Sequence, residues 1–211
     1  MVITLIGQTD KRAVVYTMMK IGEYLGDCAL VTNLHRFSRL TEDPAEDIGS
    51  YRNIDIFVGD FNADDVWDGI GHVPMDYDFI FLDNIYTEDT NLVIYVKGAG
   101  IDELDQPSLD ALEPDEYVTV KMGKPDPVTK APKTKAKGAT VAPVQHKTYN
   151  IPYTADMMEK IEYCEYFKEL VPISPQATKV VAEILSEPTK TPASTLVKVA
   201  SRQGQKGAGG K

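Results

Sequence analysis

The amino-acid sequence predicts an α/β fold in which a mostly parallel sheet is flanked by helices and followed by a flexible linker and a helical C-terminal extension. Three observations support this prediction. Short apolar runs alternate with a helical pattern over residues 1–122, and continuous apolar runs are typical of strands covered on both faces. A lysine- and proline-rich stretch, residues 123–150, breaks that pattern. Three helix-start signals follow within residues 151–201, and a glycine-rich tail, residues 202–211, is expected to be disordered.

The first predicted strand, at residues 2–6, leads through a short loop into an amphipathic helix. Four apolar residues recur there at helical spacing and share one face: Val14, Met18, Ile21 and Leu25. Thr9 or Asp10 can cap the start of this helix, and Gly26 can end it. A second strand follows at residues 29–32. A strand, helix and strand of this length predict parallel strands joined by a right-handed crossover.

Further apolar runs predict strands at residues 54–58, 79–82, 92–96 and 117–120. The run at residues 79–82 ends in an acidic residue, Asp83. Ligands of open α/β sheets lie beyond the carboxyl ends of the strands. We therefore expect Asp83 and the loop that begins at Gly7 to face one another.

The order of these elements resembles the ParA/MinD family of P-loop ATPases. The resemblance covers about residues 1–122 and is carried by two motifs: the loop Gly7-Gln8-Thr9-Asp10-Lys11-Arg12 and the strand Tyr77-Asp78-Phe79-Ile80-Phe81-Leu82-Asp83. It implies a P-loop NTPase-like fold, with ATP and Mg²⁺ as potential cofactors. By position, it implies that the nucleotide is contacted by Gly7, Thr9, Lys11 and Arg12. It also implies that Asp83 holds Mg²⁺ or its water.

Several departures from the family's pattern argue against hydrolysis. A working phosphate loop has a glycine before its lysine and a Ser or Thr after it, and that hydroxyl holds Mg²⁺. Here Asp10 rather than a glycine stands directly before Lys11, where it would repel a phosphate. The loop is also short, and Arg12 replaces the hydroxyl. Asn33-Leu34-His35 stands where the family has a catalytic Asp. We therefore expect a degenerate loop with no catalytic residues and no required cofactor, as in a pseudo-ATPase; an active ATPase with an atypical loop is the alternative.

Each of these residues also has a purely structural interpretation. Gly7 can serve only to turn the chain from strand to helix. Lys11 and Arg12 can be solvated residues of the first helical turn, and Asp83 can cap a turn with Asn84. Only the joint order of the residues along the chain favours a nucleotide site.

Charge separates the chain into distinct parts. The full chain of 211 residues has a formal net charge of −10, but residues 1–122 carry 24 acidic and 8 basic side chains. Such an acidic domain repels nucleic acid. Residues 123–150 carry 6 lysines and 1 acid. This linker can be a solvated tether, its lysines can contact an acidic neighbour such as the first domain, or, in a third hypothesis, it is the nucleic-acid contact of an accessory protein.

The sequence also bears on the compartment. It contains no apolar run of the roughly 18 residues that cross a bilayer, and its start does not resemble a signal peptide. Its two cysteines, Cys28 and Cys164, lie far apart and are expected to be small buried hydrophobes. We therefore expect a cytoplasmic protein.

The C-terminal extension shows start signals for three helices, at Thr154, at Ser174-Pro175 and at Thr191-Pro192. The first helix has an apolar stripe that needs a surface to cover it, because short isolated helices are marginal in water. That surface is the first domain, a second copy of the chain or a partner. The residues expected to bind a partner are Met157, Ile161, Tyr163, Phe167 and Leu170. Aromatic residues in such a helix also commonly fill a core.

Acidic residues and a histidine cluster around Trp67: Asp60, Asp64, Asp65, Asp68 and His72. Oxygen ligands of this kind could hold a divalent metal. The alternative is the solvated face of a short helix. The three histidines, His35, His72 and His146, lie in no nucleophile motif, so hydrolase chemistry has no support.

These observations favour a function in binding rather than turnover. By resemblance, the expected role is that of a ParA/MinD-like scaffold or adaptor. Its partners would be other proteins and a second copy of itself. The expected setting is a larger machine such as a secretion, pilus, conjugation or phage apparatus.

Overall fold

The computed structural model describes residues 1–42, 48–98, 117–123 and 147–202. Within these ranges one sheet of eight strands has the order β3-β4-β2-β5-β1-β6-β7-β8. Its strands are β1 (Val2–Ile6), β2 (Cys28–Thr32), β3 (Ile48–Tyr51), β4 (Ile54–Val58), β5 (Phe79–Asp83), β6 (Thr90–Lys97), β7 (Tyr117–Met122) and β8 (Lys147–Ile151).

Five α-helices accompany this sheet in the described residues. They are α1 (Arg12–Leu25), α2 (Val66–Ile70), α3 (Ala155–Phe167), α4 (Pro175–Ser186) and α5 (Ala193–Ala200). Two short 3₁₀ helices, His35–Leu40 and Pro74–Asp76, follow β2 and precede β5.

The sheet is parallel except at one edge, where β3 pairs antiparallel with β4. The predicted fold class, a mostly parallel sheet flanked by helices, is confirmed. Strand β1 lies between β5 and β6, and its Leu5 is in register with Asp83. This register places the end of β1 beside the acid that ends β5.

The linker prediction needs a correction at its end. Residues 147–150 were assigned to the linker, but they belong to β8, which pairs in parallel with β7. Most side chains of this edge strand are exposed. The strand is therefore stabilised mainly by main-chain hydrogen bonds to β7 and not by burial of apolar side chains. Residues 124–146 and 203–211, which hold the rest of the predicted linker and most of the predicted tail, lie outside the described residues.

Helix α1 and the three C-terminal helices cover one face of the sheet. The side chains of this face form one core, which joins residues of the strands, such as Ile3 and Leu5, to residues of the extension, such as Ile161 and Leu185. The extension is therefore packed as part of the same core as the first domain, and burial of each large apolar side chain contributes roughly 1.5 to 3 kcal/mol.

The sequence located most helix ends correctly. Thr154 Oγ1 accepts a hydrogen bond from the Met157 N–H (3.2 Å), and Ser174 Oγ accepts one from the Ala177 N–H (3.0 Å). Helix α1 ends at Gly26, as expected. Two expected starts differ. Helix α5 begins after Pro192, with no side-chain cap from Thr191, and the N-cap of α1 is Lys11 rather than Thr9 or Asp10.

The opposite face of the sheet carries a second, smaller apolar cluster. It contains Phe57, Ile80 and Leu82 from the strands, and it is covered by Val66 and Ile70 of α2. Alternate residues of each strand point to the two faces, which explains why neighbours such as Ile80 and Phe81 belong to different clusters. None of the helices in the described residues is long and apolar enough to cross a membrane.

Candidate functional site

The candidate site lies where β1 and β5 end. The loop between β1 and α1 begins at Gly7; Asp83 is the last residue of β5, and Asn84 follows it. The expectation that this loop and Asp83 face one another holds in the structure, because Lys11 Nζ lies 2.6 Å from Asp83 Oδ1. The parallel register of β1 and β5 produces this approach.

Lys11 and Asp83 form a buried ion pair. Their side chains are 2% and 0% exposed. Lys11 Nζ also donates to the carbonyl oxygen of Gly7 (3.0 Å), and Thr32 Oγ1 donates to the second carboxylate oxygen of Asp83 (2.9 Å). Burial lowers the pKa of Lys11, and the charge of Asp83 opposes that shift. Asp83 Oδ2 thus has a hydrogen-bond donor, whereas the buried Oδ1 is contacted by the Lys11 ammonium without a hydrogen bond of regular geometry.

Gly7 has a conformation that only glycine adopts without strain. Its φ is +144°, and a Cβ at this position would collide with the carbonyl oxygen of Val96 in β6. Its N–H donates to Asn84 Oδ1 at 3.0 Å. Gly7 therefore lets the loop pass close to β6, and its amide hydrogen is committed to Asn84.

The guanidinium of Arg12 is held between two carboxylates. Its Nη2 donates to Asp10 Oδ2 (2.6 Å), and its Nη1 donates to Glu165 Oε1 (2.9 Å). The hydrogen bonds that Arg12 donates to Asp10 raise the pKa of Arg12 despite its partial burial. Burial pushes the pKa of Asp10 upward, but the hydrogen bonds from Arg12 outweigh it and leave that pKa lowered.

Glu165 of α3 is a site residue that the sequence did not single out. Besides Arg12, it accepts hydrogen bonds from Tyr16 OH (2.9 Å) and Arg39 Nη1 (3.0 Å). Burial raises the pKa of Glu165, yet the hydrogen bonds from Arg12 and Tyr16 prevail and lower it. Arg12 and Glu165 are 153 positions apart, so no local pattern could have paired them. This carboxylate fastens the C-terminal extension to the start of α1.

A cavity of about 210 Å³ opens beside the loop. All the residues expected to contact a nucleotide line it, namely Gly7, Thr9, Lys11 and Arg12. Asp10, Arg36 and Asn84 line it as well. Arg36 Nη1 lies 3.8 Å from Asp10 Oδ1. The carboxylate of Asp10 therefore lies close to the cationic side chains that line this cavity.

The residues expected to bind a partner divide into two groups. Met157, Ile161 and Leu170 are fully buried in the chain's own core, which is one of the three outcomes expected for this stripe, so these side chains are not available to bind a partner. Their apolar side chains are covered by the first domain. Tyr163 and Phe167 remain exposed, at 39% and 58%, and their ring centroids lie 4.5 Å apart with the ring planes tilted by 39°.

The acidic residues around Trp67 do not converge. Among the residues that the structure describes, no three His, Cys, Asp or Glu side chains are grouped so as to hold a metal ion. His72 Nδ1 instead lies 3.2 Å from Asp76 Oδ2. The hypothesis of a divalent metal site in this region is therefore not supported, and Asp64, Asp65 and Asp68 are exposed as a solvated face would be.

Comparison with solved structures identifies the class of fold. A chain of the MinC:MinD cell division protein complex of Aquifex aeolicus is 10% identical, and the match has a TM-score of 0.60 and covers 88% of this chain and 95% of that chain. The MinD cell division protein of Aquifex aeolicus is 11% identical, with a TM-score of 0.50 over 94% of both chains. No family model and no curated protein matches the sequence. At these identities the likeness shows the fold alone, which is that of a MinD-like P-loop NTPase.

Proposed function

We propose that this protein uses a MinD-like fold to bind other proteins and does not hydrolyse ATP. The observation that carries the proposal is the buried pair between Lys11 and Asp83. In a working P-loop the equivalent lysine reaches the outer phosphates, and a carboxylate from a neighbouring strand serves Mg²⁺. Here the two charges neutralise each other inside the protein.

The residues of the loop do not fit a magnesium nucleotide. Successive backbone N–H groups must surround a phosphate, but the Gly7 N–H already donates to Asn84. The cavity presents the carboxylate of Asp10 to any anion that enters it. The guanidinium of Arg12, which replaces the Mg²⁺-binding hydroxyl, is held by Asp10 and Glu165. Each of these contacts would have to break before a phosphate could be held.

Protein binding is supported by an exposed aromatic cluster on α3, formed by Tyr163, Tyr166 and Phe167. Tyr166 is 81% exposed, and its ring lies 4.8 Å from that of Phe167. Rigid aromatic rings that contact one another in water are common anchors of protein interfaces. The MinD-like fold is also known in a complex with a second protein. The partner class that we propose is a component of a larger assembly, or a second copy of this chain.

The first experiment measures nucleotide binding and turnover. We expect no ATP hydrolysis above background with Mg²⁺ and no saturable binding of a fluorescent ATP analogue. Lys11→Ala and Asp83→Ala serve as reference variants. If the wild-type chain shows only background hydrolysis, neither substitution should lower the measured rate. A turnover that disappears in both variants, while circular dichroism shows that they remain folded, would contradict the proposal and establish an active ATPase.

The second experiment tests the aromatic cluster. Tyr166→Ser with Phe167→Ser is expected to abolish self-association in sedimentation, or retention of the partner in pull-down, without changing the melting temperature. Tyr24→Ser is the matched control, because Tyr24 is an exposed aromatic of α1. If the control and the double variant lose self-association or partner binding equally, the aromatic cluster is not the binding surface.

A further inference from the structure

A second cavity, of about 320 Å³, lies on the face of the sheet opposite to α3. It is lined by residues of α2, of the 3₁₀ helix before β5 and of the segment between the two: Trp67, Asp68, Gly71, His72, Val73 and Asp76. The apolar cluster beneath α2 belongs to the smaller core and not to the core that joins α1 to the extension. This cavity is therefore separate from the loop site and from the aromatic cluster of α3.

The two aromatic walls of this cavity are held in place by carboxylates. Trp67 Nε1 donates to Asp89 Oδ2 (2.8 Å), and His72 Nδ1 lies 3.2 Å from Asp76 Oδ2. The imidazole ring of His72 also packs edge-on against Phe57 and Tyr77, with ring centroids 5.6 and 5.4 Å apart. Because the indole N–H of Trp67 is already hydrogen-bonded to Asp89, a ligand in the cavity would contact mainly the aromatic surface of the indole ring.

An exposed apolar rim, formed by Val73 and Met75, borders the cavity along the chain. Val73 lines the cavity and is 53% exposed, and Met75, which lies in the 3₁₀ helix that also carries the lining residue Asp76, is 93% exposed. A methionine in that position contributes almost nothing to the protein's own core. Met is a flexible side chain that is frequently used at surfaces that bind peptides. This rim can cover the apolar part of a ligand that enters the cavity.

The part of the chain that lines and flanks the cavity is strongly acidic. Residues 53–96 contain 10 acidic residues and no lysine or arginine. Two of the acids, Asp68 and Asp76, line the cavity itself, and Asp64 and Asp65 are exposed next to it on the chain. This field repels phosphates, nucleic acid and anionic membranes, and it attracts cations.

We propose that this cavity binds a lysine or arginine side chain of a partner protein, presented by a basic segment that also carries apolar residues. A cation over an aromatic ring gains from the ring's quadrupole, and Trp is the best ring for this contact. The carboxylates of Asp68 and Asp76 supply the countercharge, and the rim of Val73 and Met75 covers the apolar flank. This proposal is independent of the proposed function, because the cavity shares no residues with the loop that begins at Gly7 or with the aromatic cluster of α3.

Trp67 is the one tryptophan of the chain, so its fluorescence reports on this cavity directly. The probe is a blocked hexapeptide of alternating arginine and leucine, titrated into the full chain. We expect a saturable change in tryptophan emission at about 50 mM NaCl that is lost near 1 M NaCl, because salt screens exposed charges. A hexapeptide of alternating glutamate and leucine is expected to produce no change.

Matched variants localise the binding. Asp68→Asn and Met75→Ser are each expected to weaken binding of the arginine peptide by about threefold or more, since one removes a countercharge and the other an apolar contact. Both positions are exposed, so folding should be retained, which circular dichroism checks. Glu159→Gln makes the same charge change on the opposite face and should leave binding unaltered. An unchanged tryptophan emission, equal weakening by Glu159→Gln, or equal binding of the glutamate peptide would each overturn the proposal.

Discussion

Lys11 and Asp83 neutralise each other inside the protein, with Lys11 Nζ 2.6 Å from Asp83 Oδ1. Removing two charges from water is costly, and their mutual attraction repays that cost only when the geometry is good and the remaining polar atoms are satisfied. Gly7 O and Thr32 Oγ1 provide the additional hydrogen bonds here. The pair therefore ties the loop to β5, and each charge depends on the other.

The first prediction concerns this dependence. Lys11→Met should lower the free energy of unfolding by about 3 to 5 kcal/mol, because it leaves the carboxylate of Asp83 buried without a countercharge. Asp83→Asn should be similarly damaging. The double variant, Lys11→Met with Asp83→Asn, should be more stable than the worse single variant. Urea unfolding of the four proteins measures this coupling, and additive losses would show that the pair is not coupled.

A second prediction concerns Gly7. Gly7→Ala should cost about 3 kcal/mol or more, because the new Cβ would collide with the carbonyl oxygen of Val96 and because φ is positive. Gly71→Ala is the control. Gly71 also has a positive φ, +69°, but a Cβ there would meet no atom within 4 Å, so only the backbone cost of about 1 to 2 kcal/mol is expected. Equal losses in thermal unfolding would mean that the approach to β6 does not matter.

The third prediction concerns pH. The pKa of Glu165 is lowered in the folded protein, so its contribution to stability is present above its ordinary pKa of 4.5 and is lost as the pH falls through the lowered value. Glu165→Gln should cost about 1 to 3 kcal/mol at pH 7, because hydrogen bonds to a charged group are replaced by weaker ones. Its deficit relative to the native protein should shrink as the pH approaches 3.

Glu162→Gln is the control for this experiment. Glu162 is an exposed residue of the same helix, so the variant makes the same charge change away from Arg12, Tyr16 and Arg39. Melting temperatures between about pH 3 and pH 7 give the comparison. A pH-independent deficit in Glu165→Gln would show that the carboxylate's charge is not what holds α3.

The fold was largely predictable because most of its signals are local. Apolar runs located the six interior strands, and caps such as Thr154 and Ser174 located two helices. The strands that escaped prediction, β3 and β8, lie at the two edges of the sheet. Most of their side chains are at least partly exposed, so they lack the continuous apolar run of a buried strand.

The candidate site was predictable only in part. The rule that ligands lie beyond the carboxyl ends of parallel strands placed Asp83 opposite the loop. The sequence did not predict that Lys11 would form an ion pair with Asp83. Glu165 escaped notice because its partners lie on distant elements. The pairing of charges across elements depends on packing, which sequence periodicity does not encode.

The fourth prediction separates one packed unit from two tethered domains. Residues 147–202 contribute β8 to the sheet and three helices to the main core. If the chain is cut at a specific protease site inserted within residues 124–146, the two fragments should elute together in size-exclusion chromatography and separate only in denaturant. Separate elution under native conditions would show that residues 151–201 form an independent domain, as the sequence boundaries first indicated.

The last prediction compares two positions of α3 that receive the same charge. Ile161 is fully buried, so Ile161→Asp places a carboxylate in the main core and should cost about 4 kcal/mol or more, or prevent folding. Phe167 is 58% exposed, so Phe167→Asp should change the free energy of unfolding by only about 1 kcal/mol. The two variants have the same net charge, so a difference in melting temperature reports burial alone. If Phe167→Asp also unfolds the protein, the aromatic cluster is part of the core; if Ile161→Asp is tolerated, α3 is not docked on the first domain and its whole apolar stripe becomes available to a partner.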